Sequence, residues 1–216
     1  MTDYARLRDQ MVDRQIAGRG IRDARVLAAM RTVPRECFVR EGMEEFAYKD
    51  AALPIEQDQT ISQPYIVALM LEAAEVQPGA RVLEVGAGSG YAAALLSRLA
   101  DRVFAIERHD ALGLLAKERM AALGYANVEI RVGDGTRGLP PEAPFDAILV
   151  AAGAPAVPEA LRTQLKVGGH LIVPVGGPGR QRLCKITRKS ADRYVERDLG
   201  AVMFVPLIGE QGWRED

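Results

Sequence analysis

The chain has 216 residues, 48% hydrophobic and 26% charged, with a formal net charge of −1. That length suits one domain with a sizeable core, and the composition excludes disordered and fibrous classes. The near-zero charge excludes a strongly basic nucleic-acid footprint, and the longest apolar run, residues 65–71, is too short to span a membrane.

In chain order, the first elements are helical. Leu7, Met11 and Ile16 recur at helical spacing until Gly18 and Gly20 interrupt them. Asp23 is placed to cap a second helix carrying Val26, Leu27 and Met30, which ends before Pro34. Residues 56–60 are polar and read as a loop. Ser62-Gln63-Pro64 then reads as a helix start, with Ile66, Val67, Met70 and Leu71 as its buried face.

From residue 80 strands and helices alternate. Strands are expected at 81–85, 103–106, 128–132, 145–150 and 170–175. Helices are expected at 91–99, between Leu112 and Gly124, and at 158–164. Repeated β-α-β units imply an α/β fold: a doubly wound, mostly parallel sheet with helices on both faces. Residues 183–187 and 201–205 read as two strands without a helix between them, hence an antiparallel C-terminal edge. No linker divides the chain. A single domain is expected, with an N-terminal helical and cleft region (1–79), a cofactor-binding core (80–180) and C-terminal strands (181–216).

Cys37 and Cys184 are far apart, and His109 and His170 are the two histidines. Neither a disulfide framework nor a cysteine- or histidine-built metal site is expected. Both cysteines read as buried, reduced residues, and both histidines as structural. With no apolar signal core at the N-terminus, the expected compartment is the cytoplasm.

Gly86-x-Gly88-x-Gly90 follows a strand and opens a helix. Glycines there let the backbone turn tightly and approach a ligand. The dinucleotide fingerprint GxGxxG would need glycine where Tyr91 stands, so the loop leans toward a nucleoside without pyrophosphate. Glu107 ends the next strand, where an acid can accept from both ribose hydroxyls; Asp134 ends the strand after that, in position to meet an adenine amino group. Glu84 lies inside the first strand, where a charge needs a partner such as a ligand ammonium. S-adenosylmethionine offers ribose, an amino group and a sulfonium cation. Plainer readings stand beside these: a strand-end acid for Glu107, a turn former for Asp134, a buried salt bridge for Glu84.

Val82-Leu83-Glu84-Val85-Gly86-Ala87-Gly88-Ser89-Gly90-Tyr91 resembles motif I of class I methyltransferases. Four more segments are similar to one family, the protein-L-isoaspartate (D-aspartate) O-methyltransferases. They are Met11-Val12-Asp13-Arg14-Gln15, Val33-Pro34-Arg35-Glu36-Cys37-Phe38-Val39, Gln59-Thr60-Ile61-Ser62-Gln63-Pro64 and Phe204-Val205-Pro206-Leu207. The resemblance implies a Rossmann-like fold and a monomeric enzyme that takes S-adenosylmethionine as methyl donor and releases S-adenosylhomocysteine. Its implied acceptors are L-isoaspartyl and D-aspartyl residues of damaged proteins, whose methyl ester collapses to a succinimide and so begins repair. By position, Ser62 matches the family's active-site serine, and Thr60 and Ile61 would line the cofactor and substrate cleft. Gly86, Gly88 and Ser89 match the cofactor loop, Glu107 the ribose acid, Asp134 and Gly135 the adenine site, and Val205 and Pro206 the segment near the substrate peptide.

The implied step is in-line attack by a carboxylate oxygen on a sulfonium methyl. A carboxyl with pKa about 4 is already ionised at neutral pH, so no general base is needed. The Ser62 hydroxyl would donate to the acceptor carboxylate; its plain alternative is a helix N-cap. Main-chain pairing near Val205 would bind damaged sites in any sequence context; the plain alternative is that Met203 to Leu207 is a core strand. Two positions depart from the family pattern. Glu56-Gln57-Asp58 replaces glycine-rich sequence, and Met203 stands where arginine is frequent. On charge alone, Asp58 should repel an anionic acceptor. The rival readings are a methyltransferase with another acceptor, and a cofactor-binding module without turnover. Ala151-Ala152-Gly153-Ala154-Pro155 lacks the Asn/Asp-Pro-Pro-Tyr/Phe pattern of amino-directed nucleic-acid methyltransferases.

Overall fold

The computed structural model describes residues 2–215. Helix α1 (Tyr4–Gln10) runs directly into a π-helical turn, Met11–Ile16, and a short 3-10 segment, Ala17–Arg19. The side-chain spacing explains the change. Met11 and Ile16 are five residues apart and both buried, and an i→i+5 turn puts them on one side. Helix α2 (Ala24–Thr32) starts where Asp23 accepts from the N–H groups of Arg25 and Val26, at 2.7 and 3.1 Å. Next comes a 3-10 turn, Arg35–Phe38. Arg35 and Phe38, three apart, face inward, which turns Cys37 to solvent. The expectation of two buried cysteines therefore holds for Cys184 and fails for Cys37.

Strands β1 (Leu53–Pro54) and β2 (Thr60–Ile61) pair antiparallel, where the polar run had suggested a plain loop. Two-residue strands leave no periodicity to read. The turn between them holds Gln57 and Asp58 at φ 58° and 54°. Consecutive left-handed residues are the signature of a type I′ hairpin turn, which explains a preference for glycine at this place. Helix α3 (Pro64–Ala74) follows, with its proline in the first turn.

Strand β3 (Arg81–Val85), helix α4 (Tyr91–Leu96), strand β4 (Arg102–Glu107), helix α5 (Asp110–Ala122) and strand β5 (Val128–Val132) build one half of the main sheet. Strand β6 (Phe145–Val150), helix α6 (Glu159–Thr163) and strands β7 (Leu165–Gly177), β8 (Arg180–Arg188) and β9 (Tyr194–Val202) build the other. The sheet order is β5-β4-β3-β6-β7-β8-β9. It is parallel through β7 and antiparallel from there.

Strand alternation sorts the buried residues into two cores. Val82, Val103, Ala105, Ala147, Leu149 and Ile172 face the N-terminal helices together with Leu112, Ala116 and Met120 of α5. Leu83, Val85, Phe104, Ile106, Ile148 and Val150 face the other way, toward Leu161 of α6 and Leu207. The last strand departs from the expectation of 201–205. β9 is a sheet edge rich in exposed charge (Glu196, Arg197, Asp198), so hydropathy favours the more apolar stretch after it. That stretch is extended but held by other means, described below.

Candidate active site

Strand order switches direction between the parallel strands β3 and β6, and the carboxyl ends of the strands open there into a cleft. Tight loop geometry makes the floor. The N–H groups of Gly86 and Ala87 both donate to the Ile106 carbonyl, at 2.8 and 3.1 Å, and Gly86, Gly88 and Gly90 have φ of 87°, 52° and 89°. The left-handed φ at Gly90 is what favours glycine there; a side chain would also displace the Met120 methyl, 2.9 Å from the place of its Cβ.

Glu107, 4% exposed, braces this loop. One carboxylate oxygen accepts from the Gly88 N–H at 2.8 Å and the other from the His109 N–H at 3.0 Å. Each oxygen keeps a further lone pair for a ligand hydroxyl. Glu84, 1% exposed, has no salt-bridge partner among the described residues, and its Oε2 is buried without any hydrogen bond. Burial, and secondly the nearby Glu107 carboxylate, push its pKa well above the usual carboxylate range. A buried acid left in this condition is a receptor for a cationic group.

The cleft opens to solvent. Of the residues marked in sequence, Thr60, Ile61, Ser62, Glu84, Gly86, Gly88, Ser89, Glu107, Gly135, Val205 and Pro206 all line it. Asp134 is not among the lining residues. Its Oδ1 accepts from the N–H and hydroxyl of Thr136, at 2.9 and 2.6 Å, and its Oδ2 from the Glu210 N–H at 2.9 Å. Burial opposes ionisation there, but these hydrogen bonds hold the pKa below the usual value. Asp134 thus caps a 3-10 turn and pins the C-terminal segment, from which Leu207 and Ile208 reach the cleft. Arg108 and His109, directly after Glu107, line it too; Arg108 was not singled out in sequence, and His109 was read there as structural. Position was the available signal, since they continue past the end of a strand whose last residue was already marked.

A second cavity adjoins the first. Thr60, Ser62, Ala151 and Val205 line both, so these four residues form the shared wall. The rest of its lining includes Gln63, Ile66, Met203 and Phe204, and no charged side chain among the described residues. Ser62 lies between β2 and α3. Gln63 is the residue that precedes the helix, and no side chain caps it, so the N-cap reading of Ser62 fails. Its hydroxyl has no hydrogen-bond partner among the described residues. Its carbonyl accepts from Arg35 Nη2 at 2.8 Å. Arg35 is fully buried, donates through Nε to the Ala47 carbonyl at 2.7 Å and lies over the Tyr91 ring.

On the opposite side of the wall, the Gly153 N–H donates to the Val205 carbonyl at 2.7 Å, and the Leu207 N–H to the Gly153 carbonyl at 2.9 Å. Asp58, expected to border the acceptor, is exposed and lies outside the lining of both cavities. Its departure from the family pattern bears on the backbone of the hairpin turn; Met203, 79% exposed, does line the second cavity.

A family model described as protein-L-isoaspartate(D-aspartate) O-methyltransferase matches residues 6–212. A protein-L-isoaspartate O-methyltransferase of Methylorubrum extorquens is 58% identical over 95% of this chain and 90% of its own length. One of Brucella anthropi is 53% identical over 99% of this chain and 98% of its own. A solved protein-L-isoaspartate O-methyltransferase superposes with a TM-score of 0.86 at 32% identity, covering 95% of this chain and 67% of that one. A candidate enzyme of the same name from Plasmodium falciparum, solved with S-adenosyl-L-homocysteine, gives 0.81 at 28% identity, covering 93% and 98%.

Proposed function

The chain belongs to the protein-L-isoaspartate(D-aspartate) O-methyltransferase family, and from that premise we propose how its two cavities divide the reaction. The protein is an S-adenosylmethionine-dependent protein carboxyl methyltransferase acting on isoaspartyl residues for repair. The observation that carries the division is the shared wall. On one side lies a buried carboxylate without a partner; on the other lies a cavity lined by neutral groups.

The first cavity fits the cofactor. Glu84 matches its ammonium, the two Glu107 oxygens its ribose hydroxyls, and the glycine loop with Ser89 gives the close approach it needs. Thr60 and Ile61 close one side, and Gly135 the far end, where Asp134 acts by pinning Glu210. Bound there, S-adenosylmethionine supplies a methyl group activated by a sulfonium. Everything else is the chain's own work. The second cavity receives the isoaspartyl carboxylate, already ionised and in need of no base. The free Ser62 hydroxyl donates to it and fixes one oxygen at the shared wall, where orientation can supply about 7–11 kcal/mol in well-aligned systems. The neutral lining strips water from the nucleophile, and because its charge is cancelled in the transition state, the reacting pair needs little solvation there. Val205 and Pro206 offer an N–H and a carbonyl that have no partner among the described residues, so an extended acceptor can pair along them whatever its side chains.

D-aspartyl acceptors fit the same cavity, since only the carboxylate and the backbone are read. The absence of basic side chains from its lining supports a protein acceptor over a nucleic acid. One continuous sheet from β5 to β9 supports a single domain, and a monomer is the proposed working form. Two unpaired thiols support the cytoplasm. No helix of the described residues is long and apolar enough to cross a membrane.

The test is incubation with labelled S-adenosylmethionine and an isoaspartyl peptide beside its aspartyl twin. Label on the isoaspartyl peptide alone is expected. Label only on other acceptors, or cofactor binding without transfer, would replace this reading with one of its rivals.

A further inference from the structure

Gln181 is a buried amide in β8, 3% exposed, and lines neither cavity. Buried polar side chains are found where their hydrogen bonds are satisfied, and the partners of this one are specific. Its Nε2 donates to the Phe204 carbonyl at 3.1 Å, and its Oε1 accepts from the Phe204 N–H at 2.8 Å. The carboxamide therefore pairs with one main-chain residue as a neighbouring strand would. It does so just past Val202, the residue opposite Gln181 in the β8–β9 pairing.

The chain beyond is then held from the other side by Gly153, whose N–H and carbonyl engage Val205 and Leu207. Gly153 and Gln181 also fit each other. A side chain on Gly153 would meet the Gln181 Nε2 at 2.2 Å, so the amide occupies the space that glycine leaves open. The consequence is an allocation of hydrogen bonds. Phe204 spends both of its main-chain groups on Gln181. Val205 spends its carbonyl on Gly153. What stays in this stretch without a partner among the described residues is the Val205 N–H and the Pro206 carbonyl, beside the wall shared with Ser62.

We propose that Gln181 is a positioning residue for the acceptor: by holding Phe204, it fixes which main-chain groups remain to bind the isoaspartyl peptide. This rests on the acceptor reading above, in which the peptide pairs along Val205 and Pro206. Without the amide the segment can slide or rotate, and Val205 no longer meets an acceptor whose carboxylate Ser62 holds. The effect should fall mainly on the acceptor side, because Glu84, Glu107 and the glycine loop, which meet the cofactor's ammonium and ribose, come from β3, β4 and the loops after them and not from the segment that Gln181 holds.

Two variants of the full chain test it. Q181M keeps the length and bulk of the side chain and loses both hydrogen bonds. The expected result is a dissociation constant for S-adenosylhomocysteine within twofold of the parent, with kcat/KM for an isoaspartyl peptide lowered roughly 10- to 100-fold, mainly through KM. Q181E keeps an acceptor for the Phe204 N–H but sets a second carboxylate oxygen against the Phe204 carbonyl. Its kcat/KM relative to the parent should be lowest at neutral pH and should rise as the pH falls, because a protonated carboxyl can donate where the amide did. The S-adenosylhomocysteine dissociation constant should stay flat over the same pH range, whereas a purely structural defect relieved by protonation would move both together. Parental kinetics in Q181M, or equal losses of cofactor affinity and peptide turnover, would overturn the proposal. A parent enzyme that binds S-adenosylhomocysteine and leaves the isoaspartyl peptide unmethylated would instead overturn the acceptor reading beneath it.

Discussion

The two cavities share four residues and are otherwise built on opposite principles. The cofactor side is made by strand ends and bears charge: Glu84 and Glu107 are both buried, and one is left without a partner. The acceptor side is made by a short hairpin, a helix start and an extended tail, and its lining is neutral. The difference follows from the ligands. The cofactor is one molecule with fixed functional groups, so complementary charges at fixed places discriminate it well. The acceptor is a defect that can arise in any sequence, so only backbone and carboxylate are dependable features. A charged lining there would favour some neighbouring residues over others. The polar side chains that shape the acceptor wall accordingly stand behind it, Arg35 holding the Ser62 carbonyl and Gln181 holding Phe204.

The sharpest way to break the contrast is to neutralise the charged side. Glu84→Gln removes the partner for the ligand ammonium. Loss of a charged hydrogen bond costs roughly 1.5–3 kcal/mol, up to about two orders of magnitude in the dissociation constant for S-adenosylhomocysteine, read by calorimetry. Its effect on the free protein has the opposite sign. Because the folded pKa of Glu84 is raised, the native state keeps a proton that the unfolded chain has released once pH exceeds the ordinary carboxylate value. Parental stability therefore falls as pH rises through that window, and the free Glu84→Gln protein should lack this decline and melt higher at neutral pH. Ligand binding should expel the same proton and tighten with pH. Equal melting profiles of the two free proteins would show that Glu84 is not held protonated.

On the neutral side the expected effect is kinetic. Ser62→Ala should lower kcat by up to about 10²-fold, the cost of losing one orienting donor, with cofactor affinity unchanged. The melting temperature should also stay put, since Ser62 caps no helix and its hydroxyl has no partner among the described residues. A lower melting temperature with normal turnover would return the residue to a structural role.

These regions also differ in how far the sequence discloses them. The cofactor side was legible because regular strands end where its acids stand. Once 81–85 and 103–106 are read as strands, Glu107 and the glycine loop fall into place by counting. Asp134 was placed by the same counting, yet its side chain turns to Thr136 and Glu210. No local pattern announces that a segment some seventy-five residues later will take those hydrogen bonds. On the acceptor side the segments were recognisable only by family resemblance. β1 and β2 are too short to show a period, and β9 hides behind its own charges. Gln181 looks like any polar strand residue until the fold sets it against Phe204. Where geometry comes from long-range pairing, residue type alone carries little signal.

The smallest expected effect concerns the hairpin turn, which belongs to neither ligand. Gln57 and Asp58 hold φ of 58° and 54°, a conformation that costs most residues about 1–2 kcal/mol and glycine almost nothing. Aspartate tolerates it better than glutamine, because its short side chain bonds locally. Gln57→Gly should therefore stabilise the protein by about 0.5–1 kcal/mol, and Asp58→Gly by less, read as a rise of a few degrees or below in thermal midpoint. A reading based on charge would set the opposite order of interest, with Asp58 repelling the acceptor carboxylate. Then Asp58→Asn, which keeps the left-handed preference and removes the charge, would lower the Michaelis constant for an isoaspartyl peptide, most of all at low salt. With Asp58 exposed and outside both linings, that constant is expected to be unchanged at every salt concentration. A salt-dependent fall would restore the electrostatic role and show that the neutral acceptor side extends less far than its lining.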